Sequence, residues 1–352
     1  MNKKHPSAWD PAIMLLNILV SVIGSIIGLE LIARLGISTN TSIIGALFAI
    51  IIARIPLKVF QKYKDINTQN LVQTAMSGAT FAASNGIFLS IGIPYLLGRH
   101  DLVIPMLVGA SLAVIIDATI LYKVFDTEMF PAKEAWAPGI AAAEAMLAVA
   151  EKGKNSVILM IGMVGGIVGK IFGIPTDILG VGWIGNMWAL GAFGVGLLIS
   201  EYTPKFFNIK LGDYYVPHGV MIGAGFVALI QMILILQKKS KKEKEAAAAE
   251  AATGKVEKKE FTRSLKSMKF SLAEGFGAYI LVSIVMAIMC GFSADMSAGM
   301  FVWWIIFAAL SAIISELIVG ISAMHSGWFP AFATAFIFLI LGMLFGFPPA
   351  QL

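Results

Sequence analysis

Polar side chains set into long apolar runs are the residues of this chain that could do chemistry. An ionisable or amide group at membrane depth is costly and usually faces a cavity or a partner. Asn70, Gln73, Thr74 and Ser77 recur three and four residues apart and therefore share one helix face. The same run continues through Ala82-Ala83-Ser84-Asn85-Gly86, where Asn85 adds another amide. Amides and hydroxyls among glycine and alanine can hydrogen-bond a peptide-like or chelate ligand, or can serve as polar glue between helices. Three acids are the candidates for proton coupling. Glu144 sits among alanines in AWAPGIAAAEAMLAVAE (135–151), Asp117 lies within Leu112–Leu121, and Glu316 follows Ser315 in a late apolar run. Each can load and release a proton, or be held structurally; for Asp117 and Glu316 the structural role is pairing with a basic residue. His218 follows Pro217 at a helix break beside Tyr214 and Tyr215. That group suits substrate or proton contact, or an interfacial aromatic belt.

Other chemistries lack their residues. Four histidines (His5, His100, His218, His325) stand too far apart for metal-ligand spacing, so no zinc site and no resident metal or cofactor is expected. Gly180-Val-Gly182-Trp-Ile-Gly185 satisfies GxGxxG, but it lies between apolar runs rather than after a strand. GxxxxGK[ST], HExxH and GxSxG are all missing, and no nucleophile, acid and base cluster together, so the chain is not read as an enzyme. The Gly24/Gly28, Gly162/Gly166, Gly165/Gly169 and Gly219/Gly223 pairs read as close-packing helix faces.

These residues must be positioned by elements that live in lipid. Of 352 residues, 58% are hydrophobic and 13% charged, with a mean hydropathy of +0.84. A soluble domain carries about a quarter charged residues, so most of this surface must face something other than water. The single cysteine, Cys290, cannot form an intramolecular disulfide. Apolar runs long enough to cross a ~30 Å hydrocarbon core recur near 12–35, 41–60, 70–97, 103–124, 155–173, 179–200, 214–236, 270–291, 298–321 and 330–346. Charge placement decides whether 135–151 crosses as well. If it does, and the N-terminus is cytoplasmic, 20 of the 26 Lys and Arg fall inside and 6 outside. The expected fold is therefore an all-α, polytopic membrane bundle of about eleven spans. Eight spans (1–237) precede a charged cytoplasmic linker (238–269), and three follow (270–352). The linker holds 11 of the 26 basic residues, and no aromatic side chains are interleaved with its lysine runs, so nucleic-acid binding is set aside. The expected location is the plasma membrane of the cell, multi-pass.

A shift of 262 residues aligns Ile18-Leu19-Val20-Ser21 with Ile280-Leu281-Val282-Ser283 and sets Arg54 opposite Glu316. Internal repeats are a common build of secondary transporters. On that build the second half should also have eight spans, and the chain is expected to be incomplete at its C-terminus.

The segment DINTQNLVQTAMSGATFAASNGIFLSIGIPYL (65–96) resembles a signature of the oligopeptide transporter (OPT) family, with its Asn-x-x-Gln-Thr start and its apolar run ending in proline. FPAKEAWAPGIAAAEAMLAVA (130–150) resembles a second, and LGDYYVPHGVMIGAG (211–225) and GISAMHSGWFP (320–330) are looser matches. His325-Ser326 stands where Asn-Pro would be expected. The resemblance implies two related eight-helix halves and proton-coupled uptake of small peptides or, in the yellow-stripe-like branch, metal chelates. The expected function is thus secondary transport by alternating access. The substrate would be lined by Asn70, Gln73, Thr74, Ser77, Asn85, Tyr214, Tyr215 and His218, with Glu144, Asp117 and Glu316 moving protons. A non-transporting structural or regulatory subunit, assembling as a homo-oligomer or with a chain that supplies further spans, is the alternative.

Overall fold

Long apolar sequences with no polar face satisfy their backbone groups internally only as helices, and in a computed structural model the chain is built that way. The structure describes residues 5–35, 44–45, 48–49, 51–52, 55–56, 61, 63–134, 136–150, 154–174, 187–253, 261–294, 296–326 and 329–348. Among them there is no strand. The α-helices are α1 (Pro11–Leu35), α2 (Ile66–Phe81), α3 (Leu89–Leu96), α4 (Val103–Val124), α5 (Ala137–Ala150) and α6 (Lys154–Ile171). They continue with α7 (Met187–Phe207), α8 (Val216–Thr253), α9 (Leu265–Met289), α10 (Ala298–Ser326) and α11 (Ala331–Leu344). A π-helical stretch, Ala82–Phe88, joins α2 to α3.

Six helical segments among the described residues are long and apolar enough to span a bilayer. They are Pro11–Ala33, Ile66–Leu96, His100–Val124, Val216–Lys241, Leu265–Met289 and Ala298–His325, each matching one of the expected runs. The chain is thus an all-α bundle with the character of a multi-pass membrane protein. Ala331–Leu344 is apolar but only 14 residues long. α5, over the stretch on which the expected topology turns, also has 14 residues, about 21 Å at 1.5 Å per residue. Most of the run expected at 41–60, Arg54, and the Gly180–Gly185 segment lie outside the described residues.

Helix ends carry local stop and start signals. The Asp65 side chain accepts from Thr68 N at the start of α2, and Ser264 accepts from Ser267 N at the start of α9. α9 ends at Met289 with Cys290 as its cap, and the next residue, Gly291, has a φ of +72°, a left-handed conformation that other residues adopt at a cost.

The helices pack as two units. One takes in α1–α3, α4 up to Ala110, α5 from Pro138, α6, and α7 up to Lys205. Its core is the contact of α1 with α2, built on Ile13, Leu16, Val20, Val72 and Met76. Ser21 Oγ donates to Ala75 O and Ser25 Oγ to Ala79 O, both at 3.3 Å, while Thr80 Oγ1 lies 2.9 Å from Gly24 O. Residue numbers rise together along both helices, so α1 and α2 run parallel. The second unit holds α4 from Ser111 and α8–α11. Its core gathers Ile120, Val124, Phe130, Met268, Tyr279, Ala309 and Ile313. α8 runs as one 38-residue helix from its apolar part on through the first half of the lysine-rich stretch.

Candidate functional site

Within the second unit, two of the acids singled out in the sequence meet. Asp117 on α4 and Glu316 on α10 both contact the hydroxyl of Tyr279 on α9. Local packing explains why they arrive together. Lys123 Nζ pairs with Glu274 at 2.5 Å, and the place where a Gly275 side chain would begin is filled by Ile120 and bordered by Ile313. One turn further along α9, Tyr279 comes opposite Asp117, so α4 and α9 run antiparallel. A helical side chain points toward the N-terminus of its own helix. The ring of Tyr279 therefore reaches back from the level of Ala309 toward that of Glu316.

Tyr279 is 6% exposed, Glu316 is half-buried, and Asp117 sits at the exposed edge. Around them lie Ile116, Ile120, Phe276, Ile280, Ala312, Ile313 and Leu317. Among the described residues no lysine or arginine pairs with either acid. A phenol carries one hydrogen, so it can donate to one carboxylate only. A second hydrogen bond at the phenol oxygen requires a carboxyl that carries a proton to donate. Two acids and one phenol thus form a place where one proton more or less changes the hydrogen bonding across three helices.

The other candidates are distributed. Glu144 lies exposed on α5 in the first unit. On α2, Gln73 is buried, while its amide nitrogen donates to Asn70 Oδ1 (2.9 Å) and Thr74 Oγ1 (3.0 Å), both exposed. Ser77 is half-buried on the same helix. Asn85 sits within the π-helical stretch and accepts from Ser84 Oγ at 3.1 Å. Ser84 Oγ also contacts Thr80 O (2.7 Å), and the N–H of Leu89 reaches Ser84 O. A π stretch widens the backbone and frequently marks a functional position. In the second unit Tyr214 and Tyr215 are 70% and 74% exposed, and the Tyr215 ring meets that of His218 edge-on at 5.7 Å. Tyr215 holds φ = +56°, which costs a bulky residue some backbone strain. Among the described residues no group of three His, Cys, Asp or Glu could hold a metal ion.

Tyr279 is absent from the sequence-derived candidates. Its signal was present all the same: it is one phenol in the middle of an apolar run, fifteen residues into α9.

No family model, curated protein or solved structure matches this chain.

Proposed function

We propose that the protein is a secondary active transporter in which Asp117, Tyr279 and Glu316 couple proton movement to alternating access. One observation carries the reading: two acids from different helices share the hydroxyl of a buried tyrosine, and among the described residues neither pairs with a lysine or arginine. A structural ion pair would set a lysine or arginine beside each acid, whereas here both acids contact one hydroxyl. Adding or removing a proton there changes which helices are tied together, and this is what coupling requires.

The finer reading follows from the sequence. The chain resembles the OPT family, with eight spans before the charged linker and three after it, the N-terminus cytoplasmic and the location the plasma membrane. Small oligopeptides or metal chelates are the substrate class, and the hydrogen-bonding face of α2 (Asn70, Gln73, Thr74, Ser77), with Asn85 beyond it, is the binding surface. No enzymatic step is assigned.

The test is uptake of labelled di- to tetrapeptides and of iron chelates into proteoliposomes under an imposed proton gradient. Asp117→Asn and Glu316→Gln should each lower gradient-driven uptake at least about tenfold, with the yield of folded protein unchanged. Undiminished uptake in both variants removes the coupling role. No gradient-driven uptake by the unaltered chain overturns the transporter reading in favour of a non-transporting subunit. Glu144→Gln belongs in the same series: loss there extends the proton route to α5, and retention confines it to the trio.

A further inference from the structure

One side of α9 is left uncovered. Met268, Ser271, Gly275, Tyr279 and Val282 are buried, and at about 100° per residue they form a single stripe along the helix. Lys266, Lys269, Phe270, Ala273 and Gly277 lie on the opposite side, and all five are exposed. Along that side the residue types change in order. Two lysines stand in the first turns, and Phe270 follows. Ala273 and Gly277 come next and are too small to fill the surface, with nothing within 4 Å of the place where a Gly277 Cβ would sit. Leu281 and Ile288, both exposed, continue the apolar part.

Charge at the head of this side is not neutralised. The Arg263 guanidinium lies 4.5 Å from the centre of the Tyr122 ring and donates to Tyr122 O. A ring and a carbonyl hold it in place of a carboxylate, so its charge and its remaining N–H groups face outward unspent. Neither Lys266 nor Lys269 makes an ion pair among the described residues. Glu274, Glu134 and Asp126, on the elements packed at this end, are engaged with Lys123, Lys239 and Thr262.

Charges that only orient a span need no fixed geometry. Here a fixed arginine and two unpaired lysines stand at the water end of an apolar span, above a shallow trough of small residues. A soluble anion would meet the cations and leave the trough empty. A zwitterionic lipid would fill the trough but bring a cation of its own to the lysines. An anionic phospholipid matches both parts. We propose that Arg263, Lys266 and Lys269 bind the headgroup of an anionic phospholipid whose acyl chain lies along Ala273 and Gly277.

This inference is independent of the proton-coupling reading, because its test needs no transport. The full chain in a mild nonionic detergent would be titrated with phosphatidylglycerol, phosphatidylcholine or inorganic phosphate and unfolded thermally at each step. Phosphatidylglycerol should raise Tm saturably, by roughly 2–4 °C more than phosphatidylcholine does. Lys266→Gln with Lys269→Gln should raise the half-saturating phosphatidylglycerol concentration at least about tenfold. Lys238→Gln with Lys241→Gln removes the same charge from exposed positions of α8 and should leave that concentration within about twofold. Equal responses to the two lipids, equal losses in the two double variants, or a response to inorganic phosphate that matches the lipid's would each overturn the proposal. So would a dimer in light scattering whose Tm ignores phosphatidylglycerol, which would give this side of α9 to a second copy of the chain.

Discussion

A phenol has one hydrogen to give, and in this protein two acids compete for it. Tyr279→Phe leaves Asp117 and Glu316 facing each other without the group they share. The expected loss is on the order of 1–3 kcal/mol, read as a fall of several degrees in Tm. Asp117→Asn and Glu316→Gln should then be non-additive in a double-mutant cycle, because each removes a partner of the same hydroxyl. Asp126, beyond the end of α4, shows a different single-residue effect. Its carboxylate accepts from the Thr262 hydroxyl and from the backbone N–H groups of Ala132 and Thr262, tying the 125–132 turn to the start of α9. Those bonds, the Thr262 hydroxyl first, hold the acid below the usual carboxylate range. A lowered folded-state pKa means that this latch contributes at pH above the unfolded value of about 3.9 and is lost as pH falls through the folded value. Protection of the amides of residues 125–132 and 261–264, measured as exchange relative to the intrinsic rate at each pH, should therefore fall in acid, and Asp126→Asn should remove that pH dependence.

At the scale of elements, α1 and α2 approach so closely that the seam tolerates no extra atoms. A Cβ on Gly24 would lie 2.8 Å from Met76 Cγ, from Met76 O and from Thr80 Oγ1. Backbone cannot yield as a side-chain tip can, so Gly24→Val should cost about 1–3 kcal/mol and lower Tm. Gly162→Ala, with nothing within 4 Å of the added carbon, should leave Tm unchanged or slightly raised. The GxxxG spacing made both glycines look alike, and only the neighbours separate them. The helices themselves were legible, since hydropathy and a start signal such as Asp65 are local properties of the chain. The π-helical register of Ala82–Phe88 was not. It consists of which carbonyl each N–H selects, and alanine, serine and asparagine accept either choice.

Across the whole molecule, the proposed topology places the start of α6 and the lysine-rich end of α8 on opposite sides of the membrane. The one cysteine, Cys290, can be changed to serine and single reporters introduced as Asn155→Cys and Lys242→Cys. An impermeant thiol reagent applied to intact cells should label the first and not the second. Labelling of both would remove the eight-span first half and the duplication built on it. The class of protein was fixed by composition and by runs of apolar residues, because transfer of such runs out of water is additive along the chain and needs no knowledge of neighbours. Which polar residues stand in those runs was likewise written in order. Tertiary structure alone decided that Asp117 and Glu316, 199 positions apart, meet on Tyr279, while Glu144 belongs to the other unit. It also decided which side of α9 is left uncovered, the one that carries Lys266 and Lys269. Both outcomes depend on which helix faces touch and on which way a side chain turns at the contact. Those are properties of pairs of elements, and no single stretch of sequence contains them.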